Sequence, residues 1–283
     1  MGLFDVLGGA VESAASNMER RKQTREYLKI AKEIVEEADG MYERAYNRAL
    51  EDAYKTEKVL REHTYYKEKV AKELGEEILP KIKKINIPDI CVQKPQAPYL
   101  EGKKVGLDVN VFSHSVSSLV IQNPVPLPSV LDMFVSEEDY RAARNQKDEA
   151  KYYKQQLKYE REKLMEYRDA MGHLRECVSL EKRELDNLVS KLKYMLQEMK
   201  KLEGKSSVSE EEKTYFEGVQ SISKAIAQLL SEEFLGNNME LATAYKNILQ
   251  DVEKINTSLP MMPSIKDTKS IHEVNELVRT WGR

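Results

Sequence analysis

Apolar residues recur every seven positions in the second half of the chain. This row contains Leu157, Leu164, Met171, Val178, Leu185, Leu192 and Met199. A second row, three residues further along at each step, contains Glu160, Tyr167, Leu174, Glu181, Leu188, Met195 and Leu202. Rows with this spacing share one side of a helix and form the a and d positions of a coiled coil. The sequence therefore predicts a long helix that buries this stripe against another helix.

A second helical pattern, over residues 18–85, precedes the heptads. Only Gly40 and Gly75 interrupt it, and an isolated glycine in a periodic pattern is tolerated. We expect Pro80 to end or kink the helix near Leu79, because proline has no backbone N–H to donate. The apolar seam of this pattern contains Leu28, Ala31, Val35, Ala38, Tyr42, Ala45, Ala49, Thr56, Val59, His63, Tyr66, Val70, Leu74, Ile78 and Ile82.

Residues 86–135 have a different composition from the rest of the chain. They are rich in proline, and residues 109–131 contain no Asp, Glu, Lys or Arg. Residues 105–112 and 116–121 are rich in β-branched residues and partly alternating, which predicts two short strands joined by a turn. The sequence thus predicts a small β-hairpin insertion between the two long helices.

Three shorter helices are predicted after the heptads. Ser136 is expected to cap the long helix, and Ser209 with Glu212 forms a capping-box pattern at the start of the next one. The helix that starts at Ser209 should end near Leu235, and its predicted buried face contains Phe216, Val219, Ile222, Ile226, Leu229 and Leu230. The two following helices should cover about 238–256 and 269–281.

The predicted fold is all-α: an elongated antiparallel coiled-coil hairpin or helical bundle with a small β-hairpin insertion. Its predicted parts are an amphipathic N-terminal segment (1–17), a first long helix (18–85), a Pro-rich β-containing insertion (86–135), a second long coiled-coil helix (136–204) and C-terminal helices that pack on the bundle (205–283).

Enzymatic and metal-binding motifs are missing from the sequence. It contains no phosphate-binding loop, no zinc-protease motif, no nucleophile elbow and no dinucleotide fingerprint. Cys91 and Cys177 are far apart and are expected to be reduced thiols. The net charge of −3 gives no overall attraction to nucleic acid, which is therefore not an expected partner. We expect a protein that is not an enzyme and that uses no cofactor or metal.

The first 25 residues are the best candidate for a binding site. On a helical wheel, Leu3, Phe4, Leu7 and Val11 fall on one side of residues 2–17. A basic flank follows directly, containing Arg20, Arg21, Lys22 and Arg25. An apolar face with a basic flank is typical of helices that lie in an anionic membrane interface. Docking of this segment onto the bundle, or a frayed terminus, is the alternative.

The opening Met1-Gly-Leu-Phe-Asp, followed by Val-Leu-Gly, resembles that of phage-shock protein A and the plastid vesicle-inducing proteins. These proteins are bacterial relatives of the ESCRT-III membrane remodelers. The resemblance covers about the first eight residues and the general plan of long coiled helices. The family's hairpin has no insertion, whereas residues 86–135 interrupt the pattern here. The resemblance implies a membrane role for Leu3, Phe4, Leu7 and Val11.

Together these patterns favour a non-enzymatic, membrane-associated coiled-coil scaffold or membrane-remodelling protein that self-assembles. Its expected partners are an anionic membrane surface and either further copies of itself or a coiled-coil protein. Because no apolar stretch is long enough to span a bilayer, we expect a cytoplasmic protein peripheral to the inner face of the membrane. Two alternatives remain: a helical pore-forming toxin-like protein with a β-tongue at 105–131, and a soluble coiled-coil adaptor in a larger complex.

Overall fold

All regular secondary structure in the described part of the protein is helical. The structure is a computed structural model that describes residues 3–84, 137–202, 207–232, 234 and 242–281, with side chains from residue 16 to residue 82 in the first range. All regular elements in these ranges are helices, which confirms the all-α class. The predicted β-hairpin insertion and the predicted cap Ser136 lie outside the described residues.

Two long helices and three shorter C-terminal helices dominate these ranges. Acidic residues occupy the first turn of two of these helices: Glu137–Asp139 open the second long helix and Glu210–Glu212 open the next. The bounds are α1 Leu3–Glu73, a π-helical segment Leu74–Ile78, α2 Leu79–Lys84, α3 Glu137–Lys200, α4 Glu210–Ser231, α5 Thr243–Ser258 and α6 Thr268–Thr280.

The helical path changes at Pro80 without ending there. The Leu79 N–H bonds to the Leu74 carbonyl, five residues back, so the turn is one residue wider than in an α-helix. Proline in a regular helix would clash with the carbonyl four residues before it, here that of Glu76. The wider turn removes that conflict just before Pro80, and the helix continues as α2 to Lys84. The predicted disturbance near Leu79 is confirmed, but the helix does not stop at that residue.

The chain divides into two compact units, and each long helix contributes to both. The first unit comprises Met1–Tyr54 and Val111–Asp169. In it, the small residues Ala31, Ala38 and Ala150 are fully buried and pack with Tyr153 and Leu157. Small side chains let the two helix backbones approach closely, and the Tyr153 hydroxyl donates to Asp39 at 2.7 Å beside them.

The second unit comprises Lys55–Asn110 and Ala170–Arg283. This unit contains the C-terminal part of α3, with its apolar stripe, together with α4, α5 and α6. The heptad residues of this part are buried, as predicted: Met171, Leu174, Val178, Leu185, Leu188, Leu192, Met195 and Met199. The predicted face of α4 is buried as well: Phe216, Val219, Ile222, Ile226, Leu229 and Leu230.

The capping box of α4 is formed as predicted. Ser209 Oγ accepts from the Glu212 N–H at 3.3 Å, and Glu212 Oε2 accepts from the Ser209 N–H at 2.9 Å. Helix α4 ends at Ser231, four residues before the predicted end, and α5 begins at Thr243 rather than near residue 238. These shifts are typical of helix ends, which sequence patterns define poorly.

The two long helices run parallel in each unit, so the predicted antiparallel hairpin is wrong. In the first unit Arg20 pairs with Glu137, and Arg168 pairs with Asp52. In the second unit Arg175 bonds to Thr56, and Lys193 pairs with Glu73. The residue numbers rise together along both helices, whereas antiparallel helices would pair rising numbers with falling ones.

A heptad seam carries no information about this direction, because a and d positions recur identically when a helix is reversed. A short turn can join only antiparallel neighbours. In this protein residues 85–136 instead connect the C-terminal end of α2 to the N-terminal end of α3.

Candidate functional site

The N-terminal apolar positions lie at the start of α1. The helix begins at Leu3 and continues without interruption through the predicted basic flank. The side chains of Leu3, Phe4, Leu7 and Val11 lie outside the described residues, so their predicted membrane contact stays a prediction. What the structure adds is a helical backbone at all four positions.

The basic flank is only partly available to a ligand. Lys22 and Arg25 are exposed, and Met18 just before them is 68% exposed. Arg20 is half-buried and lies 3.1 Å from Glu137, the first residue of α3. Arg21 is also half-buried and interacts with other residues. Of the four predicted basic residues, Lys22 and Arg25 are therefore the ones best placed to meet an anionic surface.

A buried ionic cluster lies in the second unit, formed by His63 and Lys67 of α1 and Glu181 of α3. Glu181 is fully buried, and His63 and Lys67 are almost as inaccessible. His63 Nε2 bonds to Glu181 Oε2 in a short contact, while Lys67 Nζ lies 3.1 Å from Oε1. His63 and Lys67 are one helical turn apart, so both reach the same carboxylate.

Aromatic rings close the buried ionic cluster. Lys67 Nζ lies 5.4 Å from the centroid of the Tyr245 ring. The Phe234 ring packs edge to face against the Tyr245 ring, with 5.0 Å between their centroids. Phe234 also contacts the His63 ring, with 5.8 Å between centroids. The Tyr245 hydroxyl is near Glu181 but makes no hydrogen bond of standard geometry with the described residues. These rings exclude water and so strengthen the charge interactions they surround.

The electrostatics of the buried ionic cluster favour the ionised carboxylate. Burial by itself raises the pKa of Glu181, but the hydrogen bond with His63 and the charge of Lys67 outweigh burial and hold that pKa below its usual range. Burial, with the Glu181 charge beside it, raises the pKa of the Tyr245 hydroxyl. The cluster is thus an ion pair with a histidine partner, enclosed by uncharged aromatic groups.

Lysines from other helices bind the C-terminal ends of all three C-terminal helices. Lys67 Nζ donates to the Leu229 carbonyl of α4 at 3.0 Å. Lys191 Nζ donates to the carbonyls of Asn256 and Leu259 at the end of α5, at 2.6 and 2.9 Å. Lys224 Nζ donates to the Val278 carbonyl near the end of α6 at 3.3 Å. The last carbonyls of a helix lack intrahelical donors and carry partial negative charge. An ammonium group supplies both the missing hydrogen-bond donor and a compensating positive charge.

These contacts define what the buried ionic cluster can do. Its groups are enclosed by protein, and they join α1, α3, α4 and α5 within the second unit. An enclosed ion pair of this kind positions helices rather than substrates. We assign it to fixing the C-terminal helices on the long helices.

Reactive chemistry has little support elsewhere in the described ranges. No group of three or more His, Cys, Asp or Glu side chains there is arranged to hold a metal ion. Cys177 is a buried free thiol whose Sγ lies 3.8 Å from His173 Nε2, and burial raises its thiol pKa. A raised pKa keeps the thiol protonated and poorly nucleophilic. Cys91 lies outside the described residues.

His63 and Glu181 lie in the predicted apolar seams, but their pairing was not predictable from the sequence patterns, and neither was the role of Lys67 or Lys191. A polar residue at an a or d position was the available signal, because such a residue must find a partner once it is buried. The signal marks a position without identifying its partner, which lies more than a hundred residues away in the chain.

No family model, no curated protein and no solved structure matches this chain. None of the described helices is both long and apolar enough to cross a membrane.

Proposed function

We propose that this protein is a non-enzymatic, membrane-associated helical scaffold that binds an anionic membrane surface through the N-terminal part of α1. The observation that supports this proposal is the helix itself, which begins at Leu3 and runs unbroken into the basic flank. With 3.6 residues per turn, positions 3, 7 and 11 of a continuous helix fall on one side. An interfacial helix requires this arrangement of apolar positions.

The accessible part of the basic flank supports the same site. Arg20 is engaged by Glu137, the first residue of α3, at 3.1 Å. Lys22 and Arg25 are exposed next to this part of the helix and supply positive charge for lipid headgroups.

The proposal includes self-assembly, either with further copies of the chain or with a coiled-coil partner, and a location at the cytoplasmic, inner face of a membrane. The resemblance to phage-shock protein A at residues 1–8 supports the membrane role alone. Sedimentation of the full chain with and without vesicles tests the assembly.

Vesicle flotation tests the membrane role. The full chain should float with vesicles that contain phosphatidylserine. Replacing Leu3, Phe4 and Leu7 together by Ser should abolish flotation with an unchanged circular dichroism spectrum, because each lost apolar side chain removes about 1.5–3 kcal/mol of burial. Flotation of this variant at the wild-type level would refute the N-terminal site.

A charge-reversal pair tests the basic flank. Lys22→Glu with Arg25→Glu should weaken flotation at low salt at least tenfold, since each basic residue near an anionic surface contributes about 1 kcal/mol. Lys58→Glu with Lys69→Glu is the matched control, because both lysines are exposed on α1 in the second unit. Equal effects of the two pairs would mean that net charge, not this site, controls binding.

The same assay separates the two alternatives. Release of vesicle contents that requires residues 105–131 would favour the pore-forming protein. A chain that neither floats nor causes leakage would favour the soluble adaptor.

A further inference from the structure

The loop between α5 and α6 exposes consecutive apolar residues. Pro260 is exposed, and Met261 and Met262 are 59% and 68% exposed. We call Pro260–Met262 the methionine tip. Single exposed apolar side chains are common on protein surfaces, but three in succession are unfavourable unless they serve a function.

The loop that carries the methionine tip is anchored at both ends. Leu259 is buried, and its carbonyl accepts from Lys191 of α3 at 2.9 Å. Pro263 is buried as well, and its carbonyl accepts from the Tyr215 hydroxyl of α4 at 2.8 Å. Two buried side chains from different helices thus hold the backbone on either side of the tip. The exposure of the methionines is therefore a consequence of the fold rather than of a free loop.

A turn fixes the chain after the tip. The Ser264 N–H and hydroxyl both donate to Asp267 Oδ2, at 2.7 and 3.0 Å, and the Asp267 N–H donates to the Ser264 carbonyl at 3.0 Å. The Asp267 carboxylate is consequently occupied by its own turn.

Two exposed lysines follow the tip in the chain. No Asp or Glu occurs between Glu253 and Asp267, while Lys266 and Lys269 are exposed on the α6 side. On the α5 side Lys254 pairs with Asp251 at 2.8 Å. Glu198, in the last turn of α3 near Tyr215, pairs with Lys201. An exposed apolar tip followed by exposed lysines matches a bilayer interface, in which apolar groups enter the acyl region and ammonium groups meet phosphates.

We propose that the methionine tip is a second membrane-contacting element, which inserts Met261 and Met262 into the interface of an anionic bilayer. This inference extends the proposed membrane association but depends on different residues. Methionine suits the role because its flexible, unbranched side chain adapts to a disordered apolar phase.

A local fluorescence reporter tests the tip independently of the N-terminal segment. Met262→Trp in a Trp281→Phe background places the chain's single Trp in the tip, and Met165→Trp in the same background is the control at an exposed methionine of α3. With phosphatidylserine vesicles, the emission of the Trp at position 262 should shift to the blue and be quenched by brominated lipid. The Trp at position 165 should show neither change.

Partitioning gives a second measurement. Met261→Ser with Met262→Ser should weaken vesicle partitioning roughly tenfold or more, because two apolar side chains no longer enter the interface. Lys266→Glu with Lys269→Glu should reduce the preference for phosphatidylserine over phosphatidylcholine.

The outcomes distinguish this inference from the proposed function. If the chain floats but the reporter at position 262 does not respond, the tip is not a membrane contact, whatever the N-terminal variant does. If Leu3, Phe4 and Leu7 are dispensable while the reporter responds, the tip binds and the N-terminal proposal fails. A blue shift that needs no vesicles and grows with protein concentration would overturn the lipid assignment and indicate a contact between copies of the chain.

Discussion

Glu181 of the buried ionic cluster is a fully buried carboxylate whose charge is compensated by Lys67 and by a hydrogen bond with His63. A buried ion pair adds little net stability, because desolvation offsets the attraction between the charges. Removing one partner is different, since the remaining charge then lies buried without compensation. The stability of the second unit should therefore be sensitive to single changes in this cluster.

Glu181→Gln should lower the free energy of unfolding by about 3–5 kcal/mol, because Lys67 stays buried without its counter-charge. Urea denaturation measures the effect. Glu176→Gln is the matched control on the same helix, with an 83% exposed side chain, and should change stability by about 0.5 kcal/mol or less. Adding Lys67→Met to Glu181→Gln should recover part of the loss. A cost no larger than that of the control would show that the cluster is not enclosed.

The lowered pKa of the Glu181 carboxyl should make the stability of the protein depend on pH. The pKa of Glu181 is lower in the folded protein than its usual value of about 4.3, so the unfolded chain binds this proton more readily. Its contribution is complete above about pH 4.3 and is lost as pH falls through the folded-state pKa. The difference in unfolding free energy between wild type and Glu181→Gln should thus be constant near neutral pH and shrink in acid. A difference that grows on acidification would contradict the direction of the shift.

Gly218 shows how one missing side chain sets a helix contact. A Cβ at this position would lie 2.6 Å from Ile271 Cγ2 of α6 and 3.3 Å from Met195 Cε. Gly218→Ala should therefore destabilise the protein by about 1–3 kcal/mol through overpacking.

The control for this substitution is Gly172→Ala, where the nearest atom to the added Cβ is Arg175 Nη2 at 3.9 Å. Alanine is the better helix former, so this change should stabilise by about 0.5–1 kcal/mol. Thermal melts of both variants compare them, and a stabilised Gly218→Ala would show that α4 and α6 are further apart than described.

At the scale of the elements, the C-terminal helices depend on ammonium groups from other helices. Lys191 is the clearest example, because it is 1% exposed and binds two carbonyls at the end of α5. Asn256, in the last turn of α5, also donates to Glu184 Oε2 of α3 at 2.7 Å. Helix α5 is therefore held to α3 by polar contacts at its C-terminal end as well as by its apolar face.

Lys191→Met should lower the free energy of unfolding by about 1–3 kcal/mol, since two buried carbonyls lose their donor while the apolar stem is kept. Hydrogen exchange should speed up first in the last turn of α5. Lys200→Met, at an exposed position of the same helix, is the control and should leave that exchange unchanged. Uniformly faster exchange in every helix would argue for a global effect rather than a helix-end contact.

At the scale of the whole molecule, the direction of α3 relative to α1 within each unit is the main departure from the sequence-based expectation. Zero-length carbodiimide cross-linking tests it without any substitution. The ion pairs Glu37–Lys154 and Glu73–Lys193 should each give a cross-linked peptide, one from each unit. An antiparallel pair would instead bring Lys154 close to Glu68. Glu37→Gln should remove the first product and keep the second.

Local and periodic features were predictable from the sequence. The heptads of residues 157–202 marked buried positions such as Leu164 and Leu185, and Ser209 with Glu212 marked the start of α4. The basic residues Lys22 and Arg25 were predictable as part of a candidate site, because charge after an apolar segment is visible in the chain itself. Residues within a turn of each other interact in nearly every fold that contains the helix, so the sequence by itself determined the helices and their buried faces.

Only the tertiary structure decided the direction of the long helices, the partners of Glu181 and the exposure of the methionine tip. Each of these depends on residues far apart in the chain, such as His63 with Glu181 or Lys191 with Leu259. A seam residue reveals that it will be buried, but not which of the many polar groups it will meet. The apolar period of a single helix determines which of its residues are buried. The partner of a buried polar residue depends instead on the packing free energy of several helices together.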